Sequence, residues 1–164
     1  MYGSSFLRSN FTPQARRTGP VRPALIASIF EMAPTPLVLA TKISFINEIA
    51  GLCETTPNTD VRAVLQGVQL DRRLSPMVNV HRVSPGILSF LWAGCGFGGS
   101  CLPKDVNALR AFAREHSLTP HLLDAVMSIN AARPATLVRI AENALGSLQG
   151  ATVAVLGLAF KAGT

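Results

Sequence analysis

A glycine-rich loop that ends in a cysteine is the part of this sequence whose residue types could do chemistry. The stretch GCGFGGSCLPKD begins at Gly94 and places Cys101 just before a run with helical spacing. The amide groups at a helix N-terminus carry partial positive charge, which stabilises a thiolate, the nucleophilic form of cysteine. Lys104 adds an ammonium group beside the same helix start. The spacing therefore predicts that Cys101 is a nucleophile.

Two further features around this thiol are typical of a catalytic site. Asp105 is a carboxylate that could orient a water molecule or accept a proton. Glycines allow positive φ angles and let a ligand approach the backbone, whose N–H groups can bind an anion such as phosphate. The loop glycines are Gly94, Gly96, Gly98 and Gly99. The alternative interpretation is a flexible turn with a buried, inert thiol, and composition alone favours that alternative.

The first helix expected around this loop begins near Leu37. Its apolar residues recur at three- and four-residue steps, which indicates a helix with a wide buried face. The apolar stripe comprises Leu39, Ile43, Ile46 and Ala50, and Phe45, Ile49 and Leu52 widen it. The preceding APTP should not be helical, because Pro34 and Pro36 lack an amide donor and restrict the residues before them.

Three more helices and one strand are expected after the first helix. Asn58 or Thr59 should cap the second helix, and Asp105 should cap the third. The fourth helix should have Pro120 in its first turn and should stop at Gly146. Pro134 should kink the fourth helix, because proline removes one backbone hydrogen bond. Residues 71–93 have no clear period and predict a loop. The run ATVAVLGLAF is rich in β-branched residues and predicts a buried parallel strand near residues 152–156.

Three segments, in matching order, resemble the UDP-glucose/GDP-mannose dehydrogenases, a family of NAD-dependent nucleotide-sugar 6-dehydrogenases. GFGGSCLPKD is similar to that family's catalytic loop, ATKISFINEIAGLCE to the start of its central dimerisation helix, and VAVLGLAFKAGT to the first strand of its C-terminal domain. The resemblance implies a mainly α fold, with a helical central dimerisation domain of the 6-phosphogluconate-dehydrogenase-like C-terminal type and the first strand of an incomplete α/β nucleotide-sugar-binding domain. We expect a disordered or non-homologous leader over residues 1–36, the helical domain over 37–147, and the start of a truncated C-terminal domain over 148–164.

The resemblance also implies a reaction and a set of site residues. In that family the loop cysteine attacks an aldehyde made by hydride transfer, a second hydride transfer gives a thioester, and hydrolysis releases a uronate; NAD+ accepts both hydrides. Cys101 would be the nucleophile, Asp105 would activate water, and Lys104 would contact NAD+. The residues implied to bind the UDP- or GDP-linked sugar are Arg73, which would reach into the partner subunit's site, Gly94, Gly96, Phe97 and Gly98, and also Phe160 and Lys161. The implied partner is a second copy of the chain, joined through the central helix, and we expect Leu39, Ile43 and Ile46 to pack against it.

Three features depart from the pattern of that family. No G-x-G-x-x-G fingerprint precedes Cys101, so the usual Rossmann platform for NAD+ is not expected. Met32 and Pro36 stand where the family has a catalytic lysine and an asparagine, and residues 75–92 form a longer link that could displace Arg73. Two hypotheses follow. The chain is either part of a dehydrogenase that is inactive unless a partner supplies the Rossmann half, or an inactive remnant that acts as a helical dimerisation module.

Composition argues against several other classes of protein. The net charge is +6, but no basic cluster alternates with aromatic residues, so we expect no nucleic-acid partner. No apolar run is expected to span a membrane, and the cysteines and histidines lack the paired spacing of a metal site. Three cysteines do not suggest a disulfide framework, which favours the cytoplasm. An unrelated thiol-dependent acyl-transfer protein would need a histidine facing Cys101, and no motif places one there.

Overall fold

The computed structural model describes residues 34–156 and shows a mainly helical architecture. The helices are α1 (Pro34–Thr55), α2 (Val61–Gln69), α3 (Cys101–Glu115) and α4 (His121–Leu145); between α2 and α3 lie β1 (Met77–Val78), β2 (His81–Arg82) and a 3-10 helix (Gly86–Phe90). The predicted fold class is therefore confirmed over this part of the chain.

The core lies where α1, α3 and α4 meet. Ala40 of α1, Val106 of α3 and Val126 of α4 form one cluster, and each is at most 2% exposed. Alanine has a small side chain, so it lets the other two helices approach α1 closely. Phe97, from the glycine loop, packs against the same cluster. The loop is thus attached to the helical core by one of its own apolar side chains.

The first helix is long and apolar enough, by length and composition alone, to cross a membrane. Residues 35–55 have a mean hydropathy of 1.3, which corrects the expectation that no apolar run reaches this length. The contacts of the helix favour a core position instead. Ile46 is fully buried, and the buried Ser44 hydroxyl donates to the backbone oxygen of Val126 on α4 at 2.9 Å. A core helix of a soluble domain satisfies the same length and hydropathy criteria.

The first two helices begin at other residues than the sequence predicted. α1 starts at Pro34, so the expectation that Pro34 and Pro36 prevent helix formation was wrong. Both prolines fall in the first turn, where backbone N–H groups have no partner within the helix and their loss costs little. The cap of α2 is Asp60, one or two residues later than predicted, and its Oδ1 accepts the Arg62 N–H at 2.8 Å.

The fourth helix keeps most of its predicted features. It ends before Gly146, which has a φ angle of 80° and donates its N–H to the Glu142 oxygen, so the predicted stop is confirmed. Pro120 precedes the first helical residue instead of occupying the first turn. Pro134 lies inside the helix, which continues for eleven residues beyond it. The kink expected at that proline stays a prediction.

The structure differs from the sequence prediction in two segments, one predicted to be a loop and one predicted to be a strand. Residues expected to form a loop contain a hairpin in which Met77 pairs with Arg82, and Asn79 and Val80 turn the chain with positive φ angles. Residues 151–156 have no regular structure, so the strand expected near 152–156 is not formed. The physical reason is pairing: a strand needs a neighbour for its N–H and C=O groups, and residues 34–156 place none beside this segment.

Candidate active site around the Cys101 thiol

Cys101 is the first residue of α3, so the helix begins four residues before Asp105, the residue predicted to cap it. Asp105 therefore does not cap the helix, and the expectation that it does was wrong. Pro103 explains the earlier start, because a proline in the first turn loses no hydrogen bond that the helix would otherwise make. Ser100 precedes the helix and makes no capping bond; its hydroxyl lies 3.7 Å from the Cys101 sulfur. The exposed thiol thus lies in the turn whose free N–H groups carry the positive end of the helix dipole.

The carboxylate expected to assist the thiol lies on the same side of α3. Asp105 follows Cys101 by four residues, a spacing that makes two helical side chains neighbours. Its side chain is 19% exposed, and the Lys104 ammonium lies 3.3 Å from its Oδ1. Lys104 itself is 71% exposed, so its ammonium group is open to solvent near the helix start. The structure thus brings three of the predicted groups together at one helix end.

Three polar side chains that the sequence analysis missed hold the glycine loop in place. Asn47 of α1 accepts the Gly94 N–H on its Oδ1 at 2.9 Å, and Arg133 of α4 donates its Nε–H to the Gly94 oxygen at 2.9 Å. Asn130 of α4 binds both backbone groups of Phe97: its Oδ1 accepts the N–H at 2.7 Å, and its Nδ2 donates to the oxygen at 2.9 Å. We call Asn47, Asn130 and Arg133 the loop clamp.

Burial explains why the loop clamp matters to the fold. Asn47 is 2% exposed and Arg133 is 6% exposed, although both lie on helices whose other inward residues are mostly apolar. Buried polar groups cost free energy unless they are hydrogen-bonded, and the loop backbone bonds the Oδ1 of Asn47 and the Nε–H of Arg133, while the buried Nδ2 of Asn47 has no partner among the described residues. The signal in the sequence was a polar residue on the apolar face of a helix. Such a residue indicates a buried hydrogen bond, but the sequence does not show which group accepts or donates it.

The loop glycines fall into two groups. Gly96 has a φ angle of 92°, and a Cβ atom placed on it would overlap the Oδ1 of Asn130. Its lack of a side chain therefore serves the loop clamp. A Cβ on Gly94 or Gly98 would meet no atom within 4 Å, so these two positions leave open space for a ligand. Gly99 also has a positive φ, of 75°, just before α3.

Of the remaining predicted site residues, the structure describes Arg73 alone. Arg73 is on the surface, with 88% of its side chain exposed, and it bonds to Asp71. The hydrogen bond from that guanidinium lowers the pKa of Asp71 to about 2. Phe160, Lys161 and Met32 lie outside the described residues.

The longer link that was expected to disturb Arg73 folds against the end of α2. The Nη1 of Arg82 donates to the Leu70 oxygen and to the hydroxyl oxygen of the fully buried Ser75, both at 2.8 Å. These bonds hold the hairpin in place next to the segment that carries Arg73. Whether this arrangement displaces Arg73 from the family position stays a prediction.

The described residues do not fit the main part of an NAD+ site. A dinucleotide platform needs a glycine-rich turn that follows a parallel β-strand. Residues 34–156 contain only a two-stranded antiparallel hairpin, and the glycine loop does not follow it directly. Lys104 and the open glycines could contact part of the cofactor, but they provide no fold for its pyrophosphate.

Comparison with known proteins agrees with the geometry of the loop. The model of the UDP-glucose/GDP-mannose dehydrogenase family, central domain, matches residues 35–132. The chain belongs to this family. The matched residues contain α1, the glycine loop, α3 and the first half of α4, which are the elements that hold Cys101. The family consists of NAD-dependent enzymes that act on nucleotide sugars, and its central domain is the dimerisation domain.

Relatives from several organisms show the extent of the similarity. The chain is 42% identical over 127 residues to UDP-glucose 6-dehydrogenase of Rickettsia prowazekii, covering 77% of this chain and 26% of that enzyme. It is 44% identical over 127 residues to the UDP-glucose 6-dehydrogenase of Pseudomonas aeruginosa, covering 77% and 25%. A solved UDP-glucose dehydrogenase from Pyrobaculum islandicum superposes with a TM-score of 0.57 at 31% identity, over 76% of this chain and 25% of that one. The chain thus spans about a quarter of the length of these relatives.

Proposed function

We propose that this chain supplies the thiol and the hydrolytic carboxylate of a nucleotide-sugar 6-dehydrogenase that converts a UDP- or GDP-hexose to its uronate. The observation that supports this proposal is the position of Cys101 as the first residue of α3, at the end of a clamped glycine loop. The Cys101 sulfur adds to the C6 aldehyde carbon, and the aldehyde oxygen takes up a proton. A hydride then passes from C6 of that adduct to an acceptor held by the rest of the enzyme, and the hydroxyl proton is lost, which leaves a thioester on Cys101. Asp105 would take a proton from the attacking water, and hydrolysis of the thioester gives the uronate and the free Cys101 thiol.

The hydride acceptor must be held by another part of the assembly, because the described residues offer no dinucleotide platform. We propose that a Rossmann domain outside residues 34–156 holds NAD+, and that Lys104 and the open glycines of the loop would contact it. The predicted roles of Arg73, Phe160 and Lys161 at the nucleotide sugar belong to the same proposal. So do the three-part division of the chain at residues 36 and 147 and its location in the cytoplasm.

We further propose that a second copy of the chain packs against α1. The residues expected at this interface were Leu39, Ile43 and Ile46, but Ile46 is fully buried inside one chain and cannot reach a partner. The exposed apolar residues of α1 are Val38, Phe45 and Leu52, at 46%, 50% and 61% exposure. They recur every seven residues, so they form one stripe along the helix. The same stripe supports the second candidate function, an inactive helical dimerisation module.

An assay of NADH formation separates the two candidate functions. We expect no NADH when this chain alone meets UDP-glucose and NAD+, because hydride transfer needs the nicotinamide held at the sugar carbon and positioning supplies about 7–11 kcal/mol of the barrier. Adding the N-terminal dinucleotide-binding part of the Pseudomonas aeruginosa enzyme should give NADH. Cys101→Ala should abolish this activity, whereas Cys95→Ala, which removes an exposed thiol of the same loop, should retain it. Absence of NADH from every mixture would favour the dimerisation module.

A further inference from the structure

We propose that Asn130 is a positioning residue for the Cys101 thiol. Together with Asn47 and Arg133 it fixes the path of the glycine loop, and so keeps the sulfur at the positive end of α3. This inference deepens the proposed function, because it concerns how the proposed nucleophile is presented. Its test measures the chemistry of the thiol itself and needs no turnover, so its failure can be told apart from failure of the proposed function.

Asn130 binds the glycine loop at Phe97, shortly before the loop enters α3. The side-chain amide of Asn130 binds both the N–H and the oxygen of Phe97, at 2.7 and 2.9 Å, in the way a neighbouring strand would. Gly98, Gly99 and Ser100 connect Phe97 to the start of α3, and glycine restricts the backbone less than any other residue. The position of the thiol therefore depends on the two fixed ends of this short connection. Asn130 holds one of them.

The close approach of the loop to α4 supports the same conclusion. A side chain on Gly96 would overlap the Asn130 Oδ1, so the loop backbone lies directly on the Asn130 amide. One turn further along α4, Arg133 donates to the Gly94 oxygen at 2.9 Å while it is 6% exposed. A buried guanidinium is stable only when it is hydrogen-bonded, and that bond ties its positive charge to the loop. The clamp thus fixes both the course of the loop and the charge beside it.

Two of the three cysteines of the chain provide the test. Cys53 is 9% exposed and reports unfolding, whereas Cys101 is exposed and reports the loop. Each site is alkylated with anionic iodoacetate and with neutral iodoacetamide, and the rates are read by mass spectrometry of the peptides. A thiol held at a helix N-terminus should favour the anionic reagent. We expect Asn130→Ala to lower the iodoacetate-to-iodoacetamide rate ratio at Cys101 about two- to fivefold, the size of a helix-dipole effect, while Cys53 stays protected.

Amide hydrogen exchange gives a second readout. The Phe97 N–H should exchange faster in Asn130→Ala, because its acceptor is gone. Asn143→Ala is the matched control, since Asn143 is an exposed asparagine further along the same helix, and it should change neither measurement. Gly96→Ala places a Cβ atom against the Asn130 Oδ1 and so disturbs the loop clamp from the loop side. It should reproduce both effects of Asn130→Ala.

Each possible outcome decides the question. If Cys53 stays protected and the rate ratio at Cys101 does not change in Asn130→Ala, the proposal is wrong. If Cys53 is labelled in Asn130→Ala, that variant is unfolding, and the rate ratio at Cys101 is then measured in Gly96→Ala instead. If both variants expose Cys53, Asn130 has a structural role in the whole fold and is not a positioning residue for the thiol, which also overturns the proposal.

Discussion

Shortening Val106 to alanine should destabilise the chain by about 2–3 kcal/mol. Val106 is fully buried, and it packs with Ala40 and Val126 where three helices meet. The substitution removes two methyl groups, which is worth about 1.6 kcal/mol in transfer free energy at about 0.8 kcal/mol per carbon. The space left behind adds roughly 1 kcal/mol, if about 40 Å³ stays empty at about 24 cal/mol per Å³.

Urea unfolding followed by circular dichroism measures this change in stability. A slope of about 1–3 kcal/mol per M converts the expected loss to a midpoint shift of roughly 0.7–3 M. Protein concentration must be the same for all variants, because self-association would add to the apparent stability. Val138→Ala is the control, since Val138 is a valine of α4 with 51% exposure, and it should cost less than about 0.5 kcal/mol. A loss below about 0.5 kcal/mol for Val106→Ala, or equal losses for both variants, would refute the core described above.

Three further predictions concern charge, association and thiol reactivity. The hydrogen bond from Arg110 lowers the pKa of Asp124, so this pair stabilises the fold above the unfolded-state pKa near 3.9. That contribution should be lost as the pH falls through the lower folded-state pKa, and Asp124→Asn should flatten the acid side of a plot of urea midpoint against pH; an unchanged plot would contradict this. Phe45→Asp should weaken self-association in light scattering, and a monomeric unmodified chain at micromolar concentration would argue against the α1 interface. Limiting iodoacetamide should label Cys101 well before Cys53, and equal labelling would show that Cys53 is not protected.

The sequence predicted the helices because their stability depends on a pattern that is local in the chain. Apolar residues at three- and four-residue steps indicated α1 and α4 without any knowledge of their neighbours. The same pattern could not say which side of α1 faces the core. Ile46 and Phe45 are adjacent and both apolar, yet one is fully buried and the other is half exposed. That choice depends on where α3 and α4 lie, which no local pattern records.

In the same way, one part of the site could be predicted from the sequence and another part could not. The motif around Cys101 predicted a thiol and a carboxylate near each other, because both belong to one short stretch. The loop clamp could not be predicted, since Asn47 and Asn130 contact the loop from 47 and 33 residues away along the chain. The start of α3 was misplaced because Asp105 was chosen as the helix cap, whereas the first turn begins at Cys101 and tolerates Pro103.

Trapping the covalent intermediate on Cys101 is the most direct test of the proposed chemistry. The Asp105→Asn variant, combined with the dinucleotide-binding part of a relative, would receive UDP-glucose and NAD+, and the quenched protein would be analysed by peptide mass spectrometry. Because the water-activating carboxylate is missing, we expect a UDP-glucuronyl thioester to accumulate on the Cys101 peptide while NADH formation stops after one turnover per site. Continued NADH formation with no adduct on Cys101, or an adduct on Cys95 instead, would contradict the assignment of Cys101 as the nucleophile and Asp105 as the hydrolytic base.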